Sequence, residues 1–121
     1  MKFMLLVHHD EVTFAERGEA ERHGLIRESV QLANQLHAKG QYLGAAPLHP
    51  SSSTACVKVR EGNQIVTDGP FAETREQIGG YFLVDCRDVN EAIEIASRIP
   101  GARIGTVEVR QVTEVEGLPQ N

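Results

Sequence analysis

Lys2 to His8 is a near-continuous apolar run closed by the polar cluster His8-His9-Asp10-Glu11, the pattern of a buried strand. A helical periodicity follows from Ala15 to Lys39. Leu25, Ile26, Val30, Leu32, Ala33 and Leu36 fall on one face at about 100° per residue, with Arg27, Glu28, Gln31, Asn34, Gln35 and Lys39 opposite. Gly40 stands where a helix takes its left-handed cap. Tyr42 to Leu48 reads as a weak Gly/Ala-rich strand, and Pro47, Pro50 and Ser51-Ser52-Ser53 as a loop. Thr54 to Glu61 alternates, Gly62-Asn63 is a two-residue hairpin signal, and Gln64 to Thr67 returns. A polar, turn-rich segment runs from Asp68 to Gly80, before a strand at Tyr81 to Cys86. Asp88, with Glu91 three residues on, caps a second helix. Its stripe is Val89, Ala92, Ile93, Ala96 and Ile99, and Pro100-Gly101 stops it. Ile104 to Val112 is the last strand, and 118–121 a frayed tail.

The order βα, β, hairpin, βαβ predicts an α+β fold. Its simplest form is a ferredoxin-like (split βαβ) antiparallel sheet, with two helices on one face and an added β-hairpin. Right-handed crossovers put both helices on the same side. The strands are apolar on both sides, however: Phe3, Leu5 and Val7 against Met4 and Leu6, and Phe82 and Val84 against Tyr81 and Leu83. Two helices roof one face only, and a bare apolar face of several hundred Å2 is sticky. Two copies joined sheet to sheet, as a homodimer forming a dimeric α+β barrel, answer this. The alternative is that the hairpin folds over the free face within one chain.

At 121 residues the chain is one domain, 1–121, with room for a core. Its net charge is −5, which argues against nucleic acid as a partner. No run approaches the roughly 18 apolar residues of a membrane span. The N-terminal run is short and leads into His8-His9-Asp10-Glu11 rather than a small-residue cleavage site. Cys56 and Cys86 form no CxxC. A cytoplasmic protein with two structural thiols is expected.

The candidate site is the segment from Asp68 to Gln77, longer than a tight connection needs. Asp68 is either the acceptor of its own Gly-Pro turn or a general base facing a cleft. Phe71 is a core plug or a pocket wall. Glu73, Arg75 and Glu76 bind a small polar ligand, with Arg75 suited to a carboxylate, or form a solvated, ion-paired surface. Gly79 and Gly80 permit a hinge or close packing. His8 and His9 point to opposite faces of a strand and do not share a metal. The chain carries no HxH or HxxxH spacing, so neither metal nor cofactor is expected. His8 and Asp10, at i and i+2, share a face at the strand's end, where they either form a proton-transfer pair or, as strand-end polar residues usually do, simply meet water.

At Asp68-Gly69-Pro70-Phe71 the chain resembles the DGPF branch of the YCII-related family. The likeness runs on from Val66 through Ala72-Glu73-Thr74-Arg75-Glu76-Gln77-Ile78-Gly79-Gly80-Tyr81 to Asp85. It also takes in the opening strand, Asp10-Glu11, the Asp88 helix and Val107-Glu108-Val109-Arg110. The resemblance implies a dimeric α+β barrel. It implies a cleft with a His–Asp pair, whose histidine finds no matching position here. It also implies association with sigma factors. Two functions follow. One is a cofactor-free acid–base enzyme, isomerase- or lyase-like, acting on a small polar molecule. In it Asp68, His8 and Asp10 handle protons, Arg75 orients the substrate and Tyr81 lines the pocket. The other is a non-catalytic metabolite- or protein-binding module working beside a sigma factor.

Overall fold

The first strand, β1 (Lys2–His9), forms over the opening apolar run. Phe3 and Leu5 are buried on one of its faces, while Met4 and Leu6 are half-buried on the other. The computed structural model to which it belongs describes residues 1–119. Of the tail expected to fray at 118–121, residues 120 and 121 lie outside the described residues.

The single helix expected from Ala15 is two helices, α1 (Glu11–Glu16) and α2 (Glu19–Ala38). The chain starts helical early because Asp10 caps it: Oδ1 accepts from the Val12 N–H at 2.9 Å and the Thr13 N–H at 3.3 Å. It breaks at Arg17 and Gly18, both extended. Glycine inside a helix costs about 1 kcal/mol against alanine. The Arg17 carbonyl is instead taken by the Arg22 guanidinium. At the far end Gly40 has φ 72°. The Gly40 N–H bonds the His37 carbonyl at 3.0 Å, and the Gln41 N–H bonds that of Leu36 at 2.9 Å, the paired bonds of a left-handed cap.

After β2 (Tyr42–Pro47) come the hairpin strands β3 (Ala55–Arg60) and β4 (Asn63–Asp68). Arg60 pairs with Asn63, so the turn is Glu61-Gly62, one residue before the expected Gly62-Asn63. Both turn residues have positive φ, 51° and 77°, as the commonest tight hairpin turn requires. The long β5 (Gln77–Asp85) starts four residues earlier than expected, which shortens the polar segment to 69–76. In α3 (Val89–Arg98) Asp88 Oδ1 accepts from the Glu91 N–H at 2.9 Å. Glu91 reaches back to the Arg87 N–H at 3.0 Å, one residue short of a full capping box. Pro100 ends that helix and, with its fixed φ, opens a further one, α4 (Gly101–Ile104). The last strand is therefore β6 (Thr106–Gln111).

The main sheet runs β2-β5-β1-β6, every neighbouring pair antiparallel. Its covered face carries Phe3, Leu5, Phe82 and Val84. These pack against Leu32 and Leu36 of α2 and Ala92, Ile95, Ala96 and Ile99 of α3. The opposite face presents Met4, Leu6, Tyr81 and Leu83, all half-buried. The hairpin forms a separate two-stranded sheet. It does not shield that face, because its cross-strand pair Val57–Val66 is 60% and 55% exposed. Among the described residues no helix is long and apolar enough to cross a membrane.

Candidate functional site

Alternation along β1 places His9 on the covered face with Phe3, Leu5 and Val7, and His8 on the open one. The strand pairing then slips. Val7 lies opposite Gly80 but His8 opposite Ile78, so Gly79 is the extra residue of a bulge. The His9 ring fills the space above it. A β-carbon on Gly79 would lie 2.1 Å from His9 Cε1. This answers the open reading of the glycine pair: Gly79 is there for close packing. On its other side the imidazole rests on Phe14 of α1, with ring centroids 4.5 Å apart.

His9 looks into a cavity of about 490 Å3 between α2 and the sheet. The cavity has a simple origin in side-chain size. Its floor includes Ala45, too small to reach the helix above, while the space over Gly79 is taken by the His9 ring and that beside Gly101 by Val7. Its roof is the N-terminal and middle part of α2, where Leu25, Ile26 and Val30 project without meeting a floor. Only Leu32 and Leu36 of that helix are buried, although the periodicity places Ile26 and Val30 on the same packed face. The space is open to solvent past Ile26 and Val30, which are 48% and 53% exposed. Its volume is within the range of small-molecule sites.

The electrostatics at His9 are set by competing effects. Burial lowers the imidazole pKa below the ordinary 6.5, outweighing Glu11, Glu76 and Asp10, which pull it upward. Among the described residues no side chain or backbone group hydrogen-bonds its ring nitrogens. Glu11 is itself held in place. Its carboxylate accepts from the Ser51 N–H at 2.9 Å and hydroxyl at 3.2 Å, and its own N–H donates to Gln77 Oε1 at 3.0 Å. The result is a neutral, unpartnered imidazole at the edge of an apolar space, suited to accept a proton.

The residues expected from sequence are dispersed. The anticipated His8–Asp10 pair has a different carboxylate: His8 Nε2 meets Glu108 Oε1 at 3.1 Å on the open face, while Asp10 serves the α1 N-terminus. Asp68 ends β4, exposed, and no hydrogen bond from its own turn saturates it; the Gly69 N–H goes to the Thr54 carbonyl. Phe71 is not a core plug. It is 84% exposed, with Lys58 Nζ 5.9 Å from its ring centre, because β5 begins too soon for the short loop to fold inward. Glu73 and Arg75 are exposed, and Glu76 accepts from the Thr106 hydroxyl at 2.9 Å. Tyr81 borders the cavity through its position in β5, but alternation with the buried Phe82 turns its side chain to the open face. Sequence reasoning passed over His9 itself. The signal was present in the alternation from Phe3 to His9 and in the small residues of Gly44-Ala45-Ala46 and Gly79-Gly80.

Both thiols are free. Burial pushes the Cys86 thiol up, and Cys56 donates to the Gly69 carbonyl at 3.3 Å. Among the described residues no three His, Cys, Asp or Glu side chains gather as a metal site.

Compared with models of known families, residues 1–116 match that of the YCII-related domain. An uncharacterized protein of Rhizobium meliloti (strain 1021) is 31% identical over 112 residues, spanning 91% of this chain and 90% of its own.

Proposed function

Because the chain belongs to the YCII-related domain family, we propose that it is a cofactor-free acid–base enzyme acting on a small molecule held beneath α2. The reading is carried by one observation: His9, half-buried against Phe14 and with no hydrogen bond to its ring among the described residues, faces the cavity. A ring nitrogen of neutral His9 takes a proton from the substrate. The imidazolium so formed is steadied by Glu11, Glu76 and Asp10, whose charges favour the protonated ring. The proton returns to a different atom, and the net change is an isomerisation with no co-reactant. A thermal-shift screen of small molecules tests this, since a specific binder raises the melting temperature according to its affinity. Hits that persist in Asp68→Asn and Arg75→Ala but vanish in His9→Gln support the cavity. Hits lost in the loop variants and kept in His9→Gln would move the site to the Asp68 loop.

The enzyme acts as a homodimer in this reading. The β2-β5-β1-β6 order supports reading the main sheet as ferredoxin-like, and the proposed dimeric α+β barrel joins two such sheets by their open faces. Met4, Leu6 and Leu83 on that face, and the exposed valines of the hairpin, support it. Light scattering that returned a stable monomer at micromolar concentration would overturn it.

A further inference from the structure

We propose that the cavity takes an uncharged, ring-sized apolar molecule bearing one weakly acidic hydroxyl, a phenol or enol, seated with that hydroxyl on His9. The inference rests on the cavity reading above and adds the class of ligand. No Asp, Glu, Lys or Arg lines the space, so an ionic group entering it would lose its hydration without a counter-charge. The polar groups of the roof are spent on their own helix: the Ser29 hydroxyl donates to the Leu25 carbonyl at 3.0 Å, and Asn34 Nδ2 to that of Val30 at 3.1 Å. His37 lies exposed at the Tyr42 end, its ring centroid 6.2 Å from that of Tyr42, and meets water. Half-buried Tyr42 lines that same end, and at the opposite end, against Phe14 and Gly79, the polar anchor is His9.

The surroundings of His9 decide which group it prefers. Glu11, Glu76 and Asp10 all favour positive charge on the ring and oppose an incoming anion. A carboxylate or phosphate is disfavoured at this end, whereas a neutral hydroxyl that donates a hydrogen bond to the ring and keeps its proton is favoured. Phe14, itself stacked on His9, supplies an aromatic wall for a ring, with Pro47 beside it.

Three naphthalenes of one shape test the class by calorimetry: 2-naphthol, 2-methoxynaphthalene, in which the hydroxyl is blocked, and 2-naphthoate, an anion. The naphthol is expected to bind at least tenfold more tightly than either of the others. His9→Phe is expected to erase that margin and leave the methoxy compound's affinity unchanged. Should His9→Phe fail to fold by circular dichroism, His9→Gln serves, with the margin reduced. Equal binding of naphthol and methoxynaphthalene, or preference for the naphthoate, overturns the ligand class while leaving the cavity reading intact. Binding of none of the three, together with an unchanged melting temperature in the cavity-filling Ala33→Trp, overturns both.

Discussion

The position of His9 depends on an absent side chain. Gly79→Ala puts a methyl where the ring lies, and overpacking of this kind costs about 1–3 kcal/mol. Gly44→Ala, with nothing within 4 Å of its added carbon, is the matched control. It is expected to be neutral or to stabilise by up to about 1 kcal/mol through the unfolded chain. Urea unfolding of the two variants should separate them clearly. His9 also makes stability depend on pH. Its native pKa is below the unfolded value of 6.5, so between the two the unfolded chain holds more protons and stability rises with pH. The contribution is intact above 6.5 and is lost as pH falls through the lower native value. Melting curves from pH 8 down to about 4.5 should show the wild type losing more stability than His9→Gln, since the glutamine carries no titrating group. None of this was legible when His9 was weighed only as a metal ligand beside His8. The strand alternation separated the two correctly, but the smallness of the residues beneath α2 had to be read together with it.

Local chemistry located most elements and misplaced several of their ends. Asp88 and Gly40 mark helix ends that sequence identifies, because capping depends on near neighbours only. Asp10 belongs with them, yet its nearness to His8 suggested catalysis. The two acidic caps differ in what they hold. Asp88→Ala removes a hydrogen bond from a helix that buries Ala92, Ile95 and Ala96, and should cost about 1 kcal/mol. Asp10→Ala frays a six-residue helix with nothing buried and should cost a few tenths at most by chemical denaturation, near the low end for caps. The β5 start was missed because its first residues, Gln77 to Gly80, look like loop, and only pairing with His8, His9 and Val7 makes them strand. The α2 face was overestimated for a similar reason. Periodicity reports which residues share a side, not whether a floor exists opposite them. On α3 the expected stripe is likewise off by a step, since Val89 and Ile93 are 47% and 52% exposed while Ile95, outside it, is 1% exposed in the core. Ile95→Ala should cost about 2–5 kcal/mol.

At the scale of the molecule, charge excluded more than it assigned: −5 overall gives no basic footprint, and exposed ion pairs such as Met1–Asp85 and Arg103–Glu28 contribute little. The strands are apolar on both faces, and α2 and α3 cover one of them. Leu6→Glu places a charge in the proposed sheet-to-sheet contact. It should convert dimer to monomer in light scattering and remove any rise of melting temperature with protein concentration. The detached hairpin gives a further handle on the same question. A lone two-stranded ribbon is marginal in water, so in a solitary subunit its ladder opens readily. Backbone amides from Ala55 to Asp68 would then trade hydrogen for deuterium on a separate and much faster clock than those of β1 and β5. If a second subunit clasps the ribbon, the clock slows with rising concentration, and this one stretch of chain becomes an internal gauge of assembly.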